Sequence, residues 1–174
     1  MTEQDIFILI VVILLILLIL FYKKENEYDK DPREFIINKI KNKTFRNTKS
    51  EKEYNQKLKN FFQEEFKKIK KDTQLVKSEY TIDGGYKLDL IIDYKFVLEL
   101  KYKLTTRKQV DSSYTSITKY IDEIQEHKKF KTKDIFLVIC GDVKKEMKTD
   151  LIKRLNKIKK VNGWDPKTQI LYIK

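Results

Sequence analysis

The chain has 174 residues with 38 Lys or Arg against 26 Asp or Glu, a formal charge of +12. A single cysteine, Cys140, excludes an internal disulfide framework and a cysteine zinc site, and a single histidine, His127, excludes histidine-rich metal sites. A serine or cysteine triad would have to enlist His127, which lies in Glu126-His127-Lys128-Lys129 and reads as a surface residue. Ten Phe and ten Tyr in regular apolar periodicity place the chain among folded proteins despite 37% charged residues.

Residues 1–5 form a short tail with two acids and no base, and residues 6–22 are an unbroken apolar run of 17. At about 1.5 Å per residue the run reaches about 26 Å, close to the hydrocarbon thickness, and Lys23 and Lys24 can snorkel over the difference. A cleaved secretory signal needs a basic start, a shorter apolar stretch and a small-residue cleavage site, none of which is present. The run therefore predicts a single transmembrane helix. All 38 bases follow it, so the positive-inside rule predicts a cytoplasmic C-terminal part with the tail outside.

Residues 23–49 read as a charged linker with one short helix, opened by Asp31 as cap and Pro32 as first helical position. Residues 50–174 read as one domain. Tyr54, Leu58, Phe61, Phe62, Phe66 and Ile69 recur at helical spacing and predict a helix to about Lys71, with Ser50 and Glu53 as its capping box. Three short strands in a meander follow, 74–82, 86–92 and 96–102, joined by turns at Asp83-Gly84-Gly85 and Asp93-Tyr94-Lys95. A helix over 105–129 carries Val110, Tyr114, Ile117, Ile121 and Ile124 on one face. The run 135–140 is apolar throughout, as in a central strand buried on both faces. A helix over 144–160, a turn at 163–166 and a strand over 168–173 close an α/β order.

Strand alternation puts Asp89 on the face of Lys87 and Ile91, and Glu99 on the face of Lys101. If the hairpin loop is 93–95, Ile92 lies opposite Phe96 and Asp89 opposite Glu99, so the two carboxylates converge beside one lysine. Opposed like charges call for a cation, and oxygen ligands suit Mg²⁺ or Mn²⁺ rather than zinc. A divalent ion there lowers the pKa of water and stabilises charge on a phosphate, with Lys101 orienting the nucleophile, which is the chemistry of phosphodiester hydrolysis. The tripeptide acid-x-Lys is uninformative alone, since Glu65-Phe66-Lys67 and Asp142-Val143-Lys144 also match it. Glu99-Leu100-Lys101 differs by lying inside an apolar strand, with a second mid-strand acid ten residues upstream.

The segment Gly84-Gly85-Tyr86-Lys87-Leu88-Asp89 followed by Val97-Leu98-Glu99-Leu100-Lys101 resembles the PD-(D/E)XK nuclease superfamily, the restriction-endonuclease-like fold. The predicted element order is similar over about Ser50 to Ile173, although Leu88 replaces the proline of the superfamily's name. The resemblance implies a three-layer αβββαβ core extended by a C-terminal helix and strand. It implies Asp89 and Glu99 as metal ligands, the Leu100 carbonyl as a further ligand, and Lys101 as catalytic lysine. It also implies a glutamate from the first helix: Glu51 falls on the inward stripe and is the first choice, with Glu65 second. Gln109 suits the glutamine that some branches carry early in the next helix.

Beyond the apolar run the charge is +14, which favours a polyanion. Lys128, Lys129, Lys131 and Lys133 cluster between elements, and further lysines populate 144–160, although anionic lipid would attract them equally. The expectation is a membrane-anchored, Mg²⁺-dependent nuclease acting on DNA in preference to RNA, with a homodimer compatible with the resemblance. The alternative is an inactive nuclease-fold protein that tethers nucleic acid to the membrane.

Overall fold

The computed structural model describes residues 3–22, 26–45, 48–82, 85–126, 134–158 and 167–173. It is an α/β protein with six helices and a five-stranded mixed sheet among these residues. The chain divides between Ile36 and Ile37 into two compact units.

The first unit holds α1 (Glu3–Tyr22), α2 (Glu27–Lys30) and the start of α3 (Pro32–Lys41). The α1 side chains at 6–17 are exposed. Among the described residues no helix is long and apolar enough to cross a membrane. The α1 side chains are described only over 4–17, fewer than the about 20 that a crossing uses. The rings of Tyr28 and Phe35, both buried, meet edge to face with centroids 5.5 Å apart.

Asp31 caps α3 as its sequence implies, its Oδ1 accepting from the Glu34 N–H at 2.8 Å with Pro32 in the first turn. The segment 23–49, expected as a linker with one short helix, holds α2 and α3, and the second compact unit begins at Ile37. Ile37 and Ile40 are buried, and Lys39 Nζ lies 2.5 Å from Glu65 Oε2 on the next helix.

The second unit continues with α4 (Glu51–Lys68), β1 (Val76–Thr81), β2 (Lys87–Ile92), β3 (Phe96–Leu104), α5 (Arg107–Glu126), β4 (Asp134–Val143), α6 (Lys145–Leu155) and β5 (Lys167–Ile173). At the start of α4, Ser50 Oγ accepts from the Glu53 N–H at 3.2 Å, while Glu53 reaches past the cap to the Lys49 N–H at 2.8 Å. The helix stops three residues before the expected Lys71. Lys70 turns left-handed at φ 58°, the Lys71 N–H donates to the Phe66 carbonyl and the Lys70 N–H to that of Lys67, a Schellman closure without glycine.

The strands lie in the order β1-β2-β3-β4-β5, the first three antiparallel and the last three parallel. β4 is buried over 135–140 as its apolar run demands, but the middle position belongs to β3. Ile91, Val97, Ile135, Leu137 and Ile139 form one core with Val110, Ile117 and Ile121 of α5 and Leu151 of α6. Alternate strand residues face α4, whose Tyr54 ring lies 6.0 Å from that of Tyr102 on β3. The sheet is thus sandwiched between α4 and the α5–α6 pair. His127, the lysines at 128–133, Lys159, Lys160 and the expected turn at 163–166 lie outside the described residues.

Candidate metal centre and its surroundings

The β2–β3 hairpin places the acids. Asp93 and Tyr94 both adopt positive φ (55° and 49°), and the Lys95 N–H donates to the Ile92 carbonyl at 3.0 Å, so the loop is the expected three residues. The register follows: Ile92 pairs with Phe96, Ile91 with Val97 and Leu90 with Leu98. One further step would pair Asp89 with Glu99, and there the ladder ends. The Asp89 side chain replaces it, with Oδ2 accepting from the Leu100 backbone N–H at 2.7 Å. On the other edge of β2, the β1 ladder pairs Ser78 with Leu90 and Tyr80 with Leu88 and skips Glu79, which sits at φ 50°. Asn55 of α4 fills in, its Nδ2 donating to the Asp89 carbonyl at 2.9 Å.

Glu99 is buried at 2% exposure and its Oε1 lies 2.5 Å from Lys101 Nζ. Its Oε2 is buried with no hydrogen-bond partner. Lys101 Nζ is also 3.7 Å from Glu51 Oε1, and Glu51 Oε2 accepts from the Tyr102 N–H at 3.2 Å. Glu51 therefore belongs to the group and Glu65 does not. Glu65 is held between Lys39 and Lys68, each at 2.5 Å, which outweigh its burial and keep its carboxyl below the usual range.

Burial, then the adjacent Glu99 charge, pushes Asp89 up to about 8 against the Leu100 and Lys101 contributions. Burial alone would lower Lys101, but Glu99, then Glu51 and Asp89, hold it above its ordinary value, so it stays an ammonium. Cys140 is buried and pushed up to about 12 by desolvation and then by Glu51 and Asp89, which leaves it an inert thiol.

Gln109, which the resemblance implied as a site residue, caps its own helix in the structure. Its Oε1 accepts from the Thr105 and Thr106 N–H groups at 2.8 and 3.0 Å, and its own N–H donates to Thr106 Oγ1 at 3.4 Å. This is the capping box of α5, with the sequence signature Thr106-Arg107-Lys108-Gln109.

Three neighbours escaped the sequence reading. Tyr120 of α5 is buried, donates to the Lys87 carbonyl at 2.9 Å, and has its phenol pushed up by burial and then by the Glu99 and Asp89 charges. Its signal was a hydroxyl placed within the apolar stripe of Ile117, Ile121 and Ile124. Asn55, a polar residue next to Tyr54 and three before Leu58 on the helix stripe, gave a weaker signal. Glu79 gave none, because positive φ at a glutamate has no sequence mark.

A hard cation is the ligand to test against this donor set. Among the described residues no three His, Cys, Asp or Glu side chains come together in a metal-holding group. Two carboxylates do converge, each with one oxygen pinned, Asp89 Oδ2 by Leu100 and Glu99 Oε1 by Lys101, and the partnerless Glu99 Oε2 is an acceptor that burial makes costly. In a strand the N–H and C=O of one residue share an edge, so the Leu100 carbonyl opens on the same gap as Asp89. Two carboxylates and a carbonyl, completed by water and phosphate, suit Mg²⁺, which keeps several waters and takes few protein ligands. Compared with protein-family models, with curated proteins and with solved structures, the chain matches none.

Proposed function

We propose that the chain is a membrane-anchored, Mg²⁺-dependent nuclease of the restriction-endonuclease-like fold that hydrolyses phosphodiester bonds in DNA. The observation that carries this reading is the broken ladder at Asp89 and Glu99, where two mid-strand acids meet beside an ammonium and a buried carboxylate oxygen lacks a partner. Like charges at such a position are costly without a counter-ion, and a chain that retains them has a use for them. The mixed order of three antiparallel strands followed by two parallel ones, between α4 and α5–α6, supports the fold.

Asp89, Glu99 and the Leu100 carbonyl would hold the ion, which when bound supplies positive charge to a phosphate and acidifies water. Lys101, fixed by Glu99 and Glu51, is positioned to orient the attacking water and offset charge on the phosphate. Glu51 holds Lys101 from the solvent side. The anchor rests on the apolar run at 6–22.

One observation favours the inactive tether: Lys101 already neutralises Glu99, and among the described residues no third carboxylate joins the pair as a ligand. Calorimetric titration of Mg²⁺ or Mn²⁺ into the full chain in detergent, with plasmid nicking on the same samples, separates the two. The nuclease reading expects binding and nicking that both disappear in Asp89→Ala and Glu99→Ala. Wild-type protein that binds plasmid without binding metal or cutting would leave the tether.

A further inference from the structure

Asn55 is out of character in its helix. It follows Tyr54 on the buried side of α4, 8% exposed, where asparagine is a poor helix former and an amide is costly to bury. Its Nδ2 donates to the Asp89 carbonyl at 2.9 Å, while its Oδ1 is buried with no hydrogen-bond partner. A buried amide satisfied on one side only contributes little net stability, so its use lies in what the Nδ2 bond holds in place.

What it holds is the acid at the end of the β2–β3 ladder. Register pairing stops at Leu90 and Leu98, and beyond that step Asp89 reaches β3 through its Oδ2 on the Leu100 N–H. On the other edge of β2 the β1 register skips Asp89, because Glu79 has turned left-handed at φ 50°. One helical turn before Asn55, Glu51 Oε2 accepts from the Tyr102 N–H at 3.2 Å. The two side chains are four residues apart, about 6 Å along the axis, on one side of the helix. α4 therefore grips β2 through Asn55 and β3 through Glu51, and its own start is fixed by the Ser50 cap. We propose that Asn55 is a positioning residue: with Glu51 it makes α4 a brace across the parted strands, and the brace keeps the Asp89 carboxylate on the Leu100 N–H. Its bearing on metal rests on the reading of Asp89 as an Mg²⁺ ligand. Mg²⁺ demands nearly ideal geometry at about 2.0–2.1 Å, whereas Ca²⁺ accepts a looser site at about 2.3–2.6 Å, so loosening the brace penalises the smaller ion first.

The test is amide hydrogen exchange read by NMR on the isotope-labelled full chain in detergent, with EDTA present. In Asn55→Ala the Leu100 amide is expected to exchange about tenfold faster, the worth of one hydrogen bond, while the Leu98 amide one ladder step inward keeps its wild-type rate. A merely structural role would quicken both amides alike, through destabilisation of the whole unit. The wild type supplies a measurement that no misfolded variant can spoil: the Asn55 Nδ2 protons should exchange at least about tenfold more slowly than those of exposed Asn60. Calorimetry on the same proteins reads the metal, and Asn55→Ala should weaken Mg²⁺ about tenfold and Ca²⁺ by less than about threefold. Equal acceleration at Leu98 and Leu100, an unchanged Leu100 rate, an Asn55 amide that exchanges like that of Asn60, or Mg²⁺ affinity unmoved by the variant would overturn the proposal. A wild type that shows the amide pattern and binds no Mg²⁺ supports the brace and sinks the metal reading instead.

Discussion

The Leu100 N–H donates to Asp89 Oδ2 at 2.7 Å, so a side chain takes the place of a ladder bond where β2 and β3 part. The gap between two strands and the placement of the first acid are therefore one feature. A carboxylate one atom longer would not sit in the same bond, and Asp89→Glu is expected to weaken Mg²⁺ binding at least tenfold while leaving the circular dichroism spectrum unchanged. Retention of wild-type affinity in that variant would show that Asp89 does not ligate.

The raised pKa of Asp89 makes the stability of the metal-free protein depend on pH. The unfolded carboxyl releases its proton near 3.8 and the folded one near 8, so the folded state holds more protons between these values. The stabilisation is complete below the lower value and is lost as pH rises towards the upper one, with a slope approaching about 1.4 kcal/mol per pH unit. Urea midpoints measured in EDTA across that window should fall with pH in the wild type and stay flatter in Asp89→Asn.

Lys101→Met removes the ammonium 2.5 Å from a carboxylate that is 2% exposed. A buried charge left without its partner costs about 3 kcal/mol, so denaturant unfolding should shift by that amount at neutral pH. Adding Glu99→Gln to the same chain should recover most of the loss, and a double variant no more stable than the single one would argue against the pair.

Glu51 and Glu65 should separate cleanly. Glu51→Gln alters an accessible carboxylate and is expected to lower nicking at least tenfold with little change in stability. Glu65→Gln breaks two ion pairs at a nearly buried site and should cost about 1–2 kcal/mol with nicking unchanged. Activity loss confined to Glu65→Gln would reverse the assignment.

Gln109→Ala should behave as a lost helix cap, lowering stability by about 1 kcal/mol without changing metal affinity. Calorimetry showing weaker Mg²⁺ binding in this variant would return Gln109 to the site.

Much of the site was legible because it rests on strand arithmetic. A period of two and a three-residue loop fix which residues oppose each other, and the register at Ile92 and Phe96 obeys them. Glu51 was legible from the helix wheel. The sequence did not reveal where ladders stop: Asn55 replaces a strand partner, and Glu79 leaves its own ladder through a backbone angle that glutamate does not advertise. The capping role of Gln109 was not read from the sequence, because a side chain that caps its own helix matches, by position alone, one that serves a site. The 23–49 segment was read as linker because charge dominated it, although a single apolar turn carrying Ile37 and Ile40 suffices for burial.

The two halves of the sheet differ in how far the chain must travel to close them. β2 and β3 meet across three residues, whereas β3 and β4 meet only after α5 and about 30 residues of chain. During synthesis the hairpin that carries both acids can form early, but its β3 edge stays open until β4 emerges, exposing the apolar run of Phe96, Val97 and Leu98 to any strand that reaches it first. Lys101 and Lys103, toward the C-terminal end of that strand, then act as gatekeepers before they act as anything else. Their neutralisation should appear as aggregation on refolding, independent of any effect on the finished protein.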